Sequence, residues 1–516
     1  MNRRVLTALA FSFLTVWALQ YFTKKPQPSG VVGAGDKIQA GQVYRTPVQQ
    51  CWHREPKREV DFIDTKVSPD QESIVVLQTP QVKVEFSNFG GVVRALSFKK
   101  HKGRSGRPIE TVLYDTVEQR EEACFLLALD EKTPFNYKFV SQTDRSVSYE
   151  TKAGDWRIRK TYLLHDDSYK LDLTLDFEPL IGNPTPINTR LFYPAPHVSE
   201  IADNTINGLV TRDAGAISKI ASSEELVSVW GLPEIFGVED KYFIHTLAKD
   251  ASNFALGGYL KRVNKRLVAI LEGAEVKAEK RVELSFYMGP KLLSDLEAVD
   301  GRLADVLSFG WLSWLCKILL RLLEFLYKHL GNFGLAIVVL TILLKLPFLP
   351  LSIVSRRKME EYQKYQPTIN RIRSKFRHDS KKQQEEILRF HQEHKLSPAT
   401  PMVGCLPMFV QLPILFSLYR VLSNYLSLYQ APLFGWINDL SAADPYYVLP
   451  VLMGATMLWQ QTVSPVADQK QRMMMMFMPI VMTAIFVNFP AGLVLYWLMN
   501  NVLTVGEDLL RKRLFK

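Results

Sequence analysis

Gly331–Ser355, GNFGLAIVVLTILLKLPFLPLSIVS, is the stretch from which the rest of this chain can be read. A bilayer-crossing helix needs roughly 20 predominantly apolar residues. This stretch supplies them with one charge, Lys345, a little past its middle. An ammonium at that depth costs about 2.5–3.5 kcal/mol on insertion scales. Its flexible stem can snorkel towards an interface, but Lys345 sits several turns from the end of the run. The alternative is a polar cavity inside the membrane with Lys345 as its fixed positive charge, because intramembrane ionisable groups face protein or wet space rather than lipid.

Downstream, Arg356–Lys395 is dense in Lys and Arg, which fixes it in the cytoplasm. Met359, Tyr362, Ile369, Ile372 and Phe376 have helical spacing, His378-Asp379-Ser380 breaks it, and Ile387, Leu388 and His391 resume it. The pattern predicts a helical hairpin over residues 356–397, its charge either a solvated surface or a dock for protein, anionic lipid or ribosomal RNA. Beyond it lie more apolar runs: Met402–Leu418 with Gln411 as its strongest polar residue, Tyr447–Val463, MMMMFMPIVMTAIFVNF, and AGLVLYWLMNNVLTV after a tight Phe489-Pro490-Ala491-Gly492 turn. Asn424–Tyr446 has no Lys or Arg and carries Asp439 and Asp444, which places it outside; the terminal RKRLFK is basic and therefore inside.

Upstream, LADVLSFGWLSWLCKILLRLLEFLYKH repeats Lys317, Arg321, Glu324 and Lys328 along one helical face, with Trp311 and Trp314 suited to a headgroup boundary. An apolar helix with a regular charged stripe lies in the interface, so residues 303–330 are expected to form an interfacial helix. Residues 60–300 change to period two. Val82, Val84 and Phe86, then Leu171, Leu173, Leu175 and Phe177, then Val282, Leu284 and Phe286 alternate with polar residues. Such alternation, punctuated by Gly, Asn, Asp and Pro, predicts a large antiparallel sandwich. Its histidines, His101, His165, His197 and His245, show no ligand spacing and are expected to be surface residues, exposed or hydrogen-bonded there. Residues 24–59 read as a flexible tether whose glycines lack the context of a phosphate loop. Val5–Phe22 behind MNRR reads as an uncleaved anchor, residues 1–23, which holds the N-terminus in the cytoplasm and exports the polypeptide on its C-terminal side.

The 516 residues carry 63 Lys and Arg against 52 Asp and Glu, a formal charge of +11. That excess could serve nucleic acid or an anionic membrane. Its clustering beside apolar runs favours the membrane, and DNA is not expected as a partner. Cys51, Cys124, Cys316 and Cys405 form no CxxC pair, so neither a zinc site nor a redox motif is expected. Cys51 and Cys124 fall in the exported part, where a disulfide is chemically allowed. No nucleophile motif or defensible carboxylate pair points to catalysis. The expected fold is therefore a polytopic α-helical membrane protein with six transmembrane helices and one large exported all-β domain.

GNFGLAIVVLTILLKLPFLPLS, GCLPMFVQLPILFSLYRVL, APLFGWINDLSAADPYYVLPVLMGATMLWQQ and FPAGLVLYWLMNN resemble the YidC/Oxa family of membrane protein insertases. The long exported domain ending in YMGPK resembles the Gram-negative form, whose periplasmic domain is a β-supersandwich. The resemblance implies a bacterial inner-membrane protein that inserts and folds integral membrane proteins, alone or with the Sec translocon, with no cofactor, metal or catalytic step. It implies a five-helix insertase core over residues 331–516 that encloses a hydrophilic groove open to cytoplasm and lipid. A basic residue of the first core span sits in that groove, and Lys345 takes its place. Thr341 one turn earlier, Gln411, Tyr496 and Trp497 are the other expected groove residues. The implied partners are nascent membrane proteins, Sec components, membrane lipids and, weakly because the C-terminal tail is short, the ribosome. Three extra residues between Pro398 and Gly404-Cys405 depart from the family pattern. A secondary transporter or channel is the rival reading. It would need several intramembrane ionisable groups or broken helices, and the spans offer the single charge of Lys345.

Overall fold

The computed structural model describes residues 61–63, 71–112, 123–198, 207–210, 218–221, 229–231, 235–263, 266–307, 312–394, 406–463 and 469–514. The expected anchor, the tether with Cys51, Trp311, and the Pro398–Cys405 insertion lie outside these residues. The chain divides into two compact units, one up to Val306 and one from Leu307.

The described residues of the first unit are β-strands and their connections, apart from a short helix α1 (Leu293–Val299) and a 3-10 segment (Gly301–Val306) at its end. Its described strands form sheets of nine, seven and four. The alternating runs sit at the centre of the large sheet. Strand Lys170–Pro179 pairs antiparallel with Lys280–Pro290, so Leu171 lies opposite Phe286, Leu173 opposite Leu284 and Leu175 opposite Val282. All six are buried while their polar neighbours look outward, as a period-two pattern on a one-sided sheet demands. Phe286 meets the ring of Tyr193, which belongs to the seven-stranded sheet, at 5.3 Å and that of Phe125 at 4.7 Å. Phe98 of the four-stranded sheet stacks on Phe243 of the large one at 4.7 Å. These aromatic contacts join the layers of the sandwich.

Two ionisable groups are buried in this core. His245, expected at the surface, is 1% exposed and hydrogen-bonds through Nδ1 to the Pro194 carbonyl at 2.8 Å. It occupies the inner face of its strand because the large central sheet is covered on that side. Burial pushes its pKa down to about 4. Lys160 is wholly buried on strand Trp156–Leu164. Its Nζ donates to the carbonyls of Gly90 and Phe125, both at 2.7 Å, and lies 4.7 Å from the Tyr137 ring centre. Desolvation lowers its pKa to about 7. Cys124 is a buried free thiol. Among the described residues no cluster of His, Cys, Asp and Glu could hold a metal ion.

The second unit is helical: α2 (Ser313–Leu330), α3 (Phe333–Lys345), α4 (Leu349–Lys375), α5 (Ser380–Glu393), α6 (Leu406–Asn424), α7 (Val448–Val463), α8 (Gln469–Phe486) and α9 (Ala491–Leu514). The single helix expected over 303–330 is divided. Leu303–Val306 is 3-10 helix in the first unit, and α2 begins only at Ser313. Cys316, Leu319, Leu320, Leu323 and Leu326 make the buried stripe of α2, which packs on α3 and α6. Gly331, left-handed at φ 66°, ends it. Helix α3 passes through a 3-10 turn at Leu346–Phe348 straight into α4, so the apolar segment and the basic arm are one continuous rod. That run, Phe333–Lys375, is the one helix among the described residues long and apolar enough to cross a membrane by itself, against six spans expected. The later helices interrupt their apolar runs with polar residues: Gln411 and Arg420 in α6, and Asn500, Asn501, Glu507 and Asp508 in α9.

A non-helical segment pins the bundle at one end. Asn332 caps α3 by accepting from Leu335 N at 3.0 Å, and its amide donates to the carbonyls of Pro432 and Leu433. The start of α9 is tied by Ala491 N to Ala442 O at 2.7 Å and Gly492 N to Leu440 O at 3.0 Å. A Cβ at Gly492 would stand 3.2 Å from that same carbonyl oxygen, which accounts for glycine in the tight turn. Asp444, in the segment expected outside the cytoplasm, is 1% exposed. It accepts from the Leu449 and Tyr446 amides and from Trp436 Nε1, and so caps α7.

Candidate functional site

The last helix carries the polar groups that the bundle turns inward. Tyr496, Asn500, Thr504 and Glu507 recur at steps of four, four and three, which places them on one face of α9. Helix α9 packs against α3, α6 and α7, so that face meets protein. From Tyr496 to Asp508 the column rises about 18 Å at ~1.5 Å per residue.

Each member has a partner on a neighbouring helix or on α9 itself. The Tyr496 hydroxyl and the Gln411 side-chain amide of α6 form a short hydrogen bond. Lys345, at the end of α3, donates from Nζ to the Asn500 carbonyl at 3.3 Å and, through a short bond, to the Thr504 hydroxyl. Thr504 in turn donates to Asn500 O at 2.7 Å. Glu507 Oε1 accepts a short hydrogen bond from the Ser352 hydroxyl of α4, and its Oε2 lies 4.0 Å from Lys345 Nζ. One position on, Asp508 pairs closely with Arg356 of α4. Nearby, Asn501 reaches Thr456 of α7 at 3.5 Å.

Three of the residues expected from sequence, Lys345, Gln411 and Tyr496, therefore belong to this column. Thr341 and Trp497 do not bond to it. Thr341 is buried and returns its hydroxyl to the Ile337 carbonyl of its own helix at 2.7 Å, a habit of Ser and Thr within helices. The ring of Trp497 lies 5.5 Å from that of Phe486 on α8, and its Nε1 is buried without a hydrogen-bond partner.

Lys345 does not stand alone in the bundle. Lys345 and Arg356 face Glu507 and Asp508, two cations against two carboxylates. Sequence reasoning missed the acidic pair because it comes directly after the apolar run of α9 and reads as the start of the basic tail. The signal was available: Thr504, Glu507 and Asp508 lie four, seven and eight residues beyond Asn500, on the side of the helix that carries Tyr496.

The family patterns divide the chain in the same order as its two units. The "60Kd inner membrane protein" family matches residues 325–516, and the "YidC periplasmic domain" matches residues 74–322. The membrane protein insertase YidC of Geotalea uraniireducens is 32% identical, with 98% of each chain covered. This chain belongs to the YidC family of membrane protein insertases.

The YidC insertase of Syntrophus aciditrophicus is 30% identical over 85% of each chain, and that of Oleidesulfovibrio alaskensis is 40% identical over 55% of this chain and 54% of its own. A solved structure described as an active YidC insertase with the first transmembrane domain resolved covers 85% of this chain and 92% of its own, at 18% identity and a TM-score of 0.39. YidC relatives bear the name of insertases rather than enzymes. The helical unit corresponds to the inner-membrane part of the family and the sandwich to its periplasmic domain.

Proposed function

We propose that this chain inserts and folds newly made membrane proteins in the inner membrane, alone or with the Sec translocon, and that the column on α9 is the wall of a hydrated groove. The observation that carries this reading is a polar ladder of about 16 Å inside an otherwise apolar bundle, running from Gln411–Tyr496 through Lys345–Thr504 to Glu507. A hydrocarbon core is about 30 Å thick. A polar client segment that travels beside such a ladder faces a dry path of about half that length.

The physics is one of solvation. Each unsatisfied backbone group of a client costs several kcal/mol in hydrocarbon, and a charged side chain costs more. A wet groove removes much of that barrier without nucleotide hydrolysis. The hydrophobic part of the client then moves into lipid and gains about 25 cal/mol per Å² of apolar surface. Met476, Phe477, Ile480 and Val481 of α8 are exposed and suit contact with acyl chains. Lys345 attracts client carboxylates, and its ladder partners lower the cost of keeping it charged.

In this reading the chain crosses the membrane six times, with both termini cytoplasmic and the sandwich periplasmic. The positive-inside distribution of Lys and Arg supports that orientation. The basic arm formed by α4 and α5 lies in the cytoplasm, within reach of ribosomes and anionic headgroups.

Photo-crosslinkers placed at 411, 496 and 500, with 477 and 480 as outward controls, test the groove. Capture of a stalled nascent membrane protein from the first three positions is expected while the client's polar tail is crossing. Capture from the control positions alone would remove the groove from the mechanism.

A further inference from the structure

We infer that Glu507 is a specificity-determining residue, a resident carboxylate that competes with acidic client segments for Lys345; the inference rests on the groove reading above. The two ion pairs of the cluster differ in how tightly they are made. Asp508, with a side chain 3% exposed, is in close contact with Arg356. That pair ties α4 to α9. Glu507 is held by one oxygen only, through Ser352, while its Oε2 stops 4.0 Å short of Lys345 and has no hydrogen-bond partner. Its side chain is 9% exposed, so water does not fully replace the missing bond. Lys345 meanwhile donates its direct bonds to the neutral Asn500 carbonyl and Thr504 hydroxyl.

Glu507 thus neutralises Lys345 at short range without occupying its donors. A carboxylate arriving from a client can reach Nζ without first breaking a bond between Glu507 and Lys345. It does meet the repulsion of Glu507. The net pull on an acidic segment is the small difference between attraction to Lys345 and repulsion by Glu507, both strong in a part-dry site. A neutral or basic segment meets little of that penalty. Glu507 therefore biases the groove against strongly acidic translocated tails.

The test uses the purified full chain in liposomes and a single-span probe whose translocated tail carries none, one or three aspartates. Glu507→Gln keeps the shape and a partner for Ser352 but removes the charge. It is expected to raise insertion of the three-aspartate probe relative to the uncharged one by about three- to tenfold, the effect of one nearby unit charge in a part-solvated site. Lys345→Gln is expected to depress the acidic probe, because Glu507 is then left uncompensated, and adding Glu507→Gln to it should restore insertion in part. An unchanged acidic-to-neutral ratio in Glu507→Gln, with Lys345→Gln still selectively impaired, would overturn the competitor role and leave the groove standing. Equal behaviour of all three variants on every probe would sink the charged groove itself. If Glu507→Gln lowers insertion of all probes alike, together with the thermal stability of the protein, Glu507 is a structural partner of Ser352 and the inference fails.

Discussion

In the proposed groove the ammonium of Lys345 is useful only if it stays charged, and the ladder on α9 favours that. An uncompensated charge in a low-dielectric interior costs several kcal/mol. Two oxygen acceptors and a carboxylate at 4.0 Å offset much of that. Lys345→Ala and Lys345→Glu are expected to impair insertion and Lys345→Arg to be tolerated, as read by complementation of a depleted strain. Normal insertion of every tested client by Lys345→Glu would remove the charge from the mechanism. Lys160 in the sandwich shows the opposite solution, a lysine whose charge is disfavoured. Its folded pKa of about 7 lies below the ordinary 10.5. Between those values the unfolded chain binds a proton that the folded chain does not. Stability therefore rises with pH across that window, while below it the cost of the buried ammonium is fully present and no longer varies with pH. Lys160→Met should flatten the rise by up to about 1.4 kcal/mol per pH unit, measured by denaturant unfolding of the full chain in detergent with a fluorescent reporter in the sandwich. Parallel curves for the two proteins would refute the assignment.

Helix ends, more than helix faces, carry the construction of the helical unit. Asn332 does three jobs with one side chain: it caps α3 and ties two carbonyls of the 432–433 segment. Asn332→Ala is expected to cost about 1–2 kcal/mol, the loss of a cap and of its amide bonds, seen as earlier thermal unfolding of the helical unit and faster proteolysis near residue 433. A change within error would mean that the loop holds without it. In the sandwich, Glu239 is the matching joint. Its side chain is 1% exposed, and its oxygens meet Lys219 at 2.7 Å and Lys291 at 3.0 Å. Glu239→Gln leaves two ammonium groups facing one neutral amide, and a loss of about 3–5 kcal/mol is expected from equilibrium unfolding. A variant as stable as the parent would show that water or other acceptors solvate both lysines.

The two units differ in what could make them necessary to insertion. The residues named in the polar ladder all belong to the unit from Leu307 onward. Deleting most of the sandwich while keeping the anchor and α2 is expected to leave core insertion largely intact. Complementation checks this, and loss of insertion despite normal membrane levels of the shortened protein would contradict it.

Periodicity was legible wherever one face of an element is buried. Leu171, Leu173 and Leu175 announced their strand, and Lys345 announced a polar interior, because burial of one face must repeat with the period of the backbone that carries it. The family was legible too, from the stretches around Lys345, Gln411 and the Ala431–Gln461 run. Three-dimensional packing alone decided the partners. Lys345 and Glu507 are 162 positions apart, and which carboxylate faces which cation depends on how α3, α4 and α9 are rotated against one another. It also turned Thr341 back on its own helix, buried His245, and made Asp444 a cap. A side chain's neighbours across a bundle are set by the joint packing of several helices, and no local spacing encodes that.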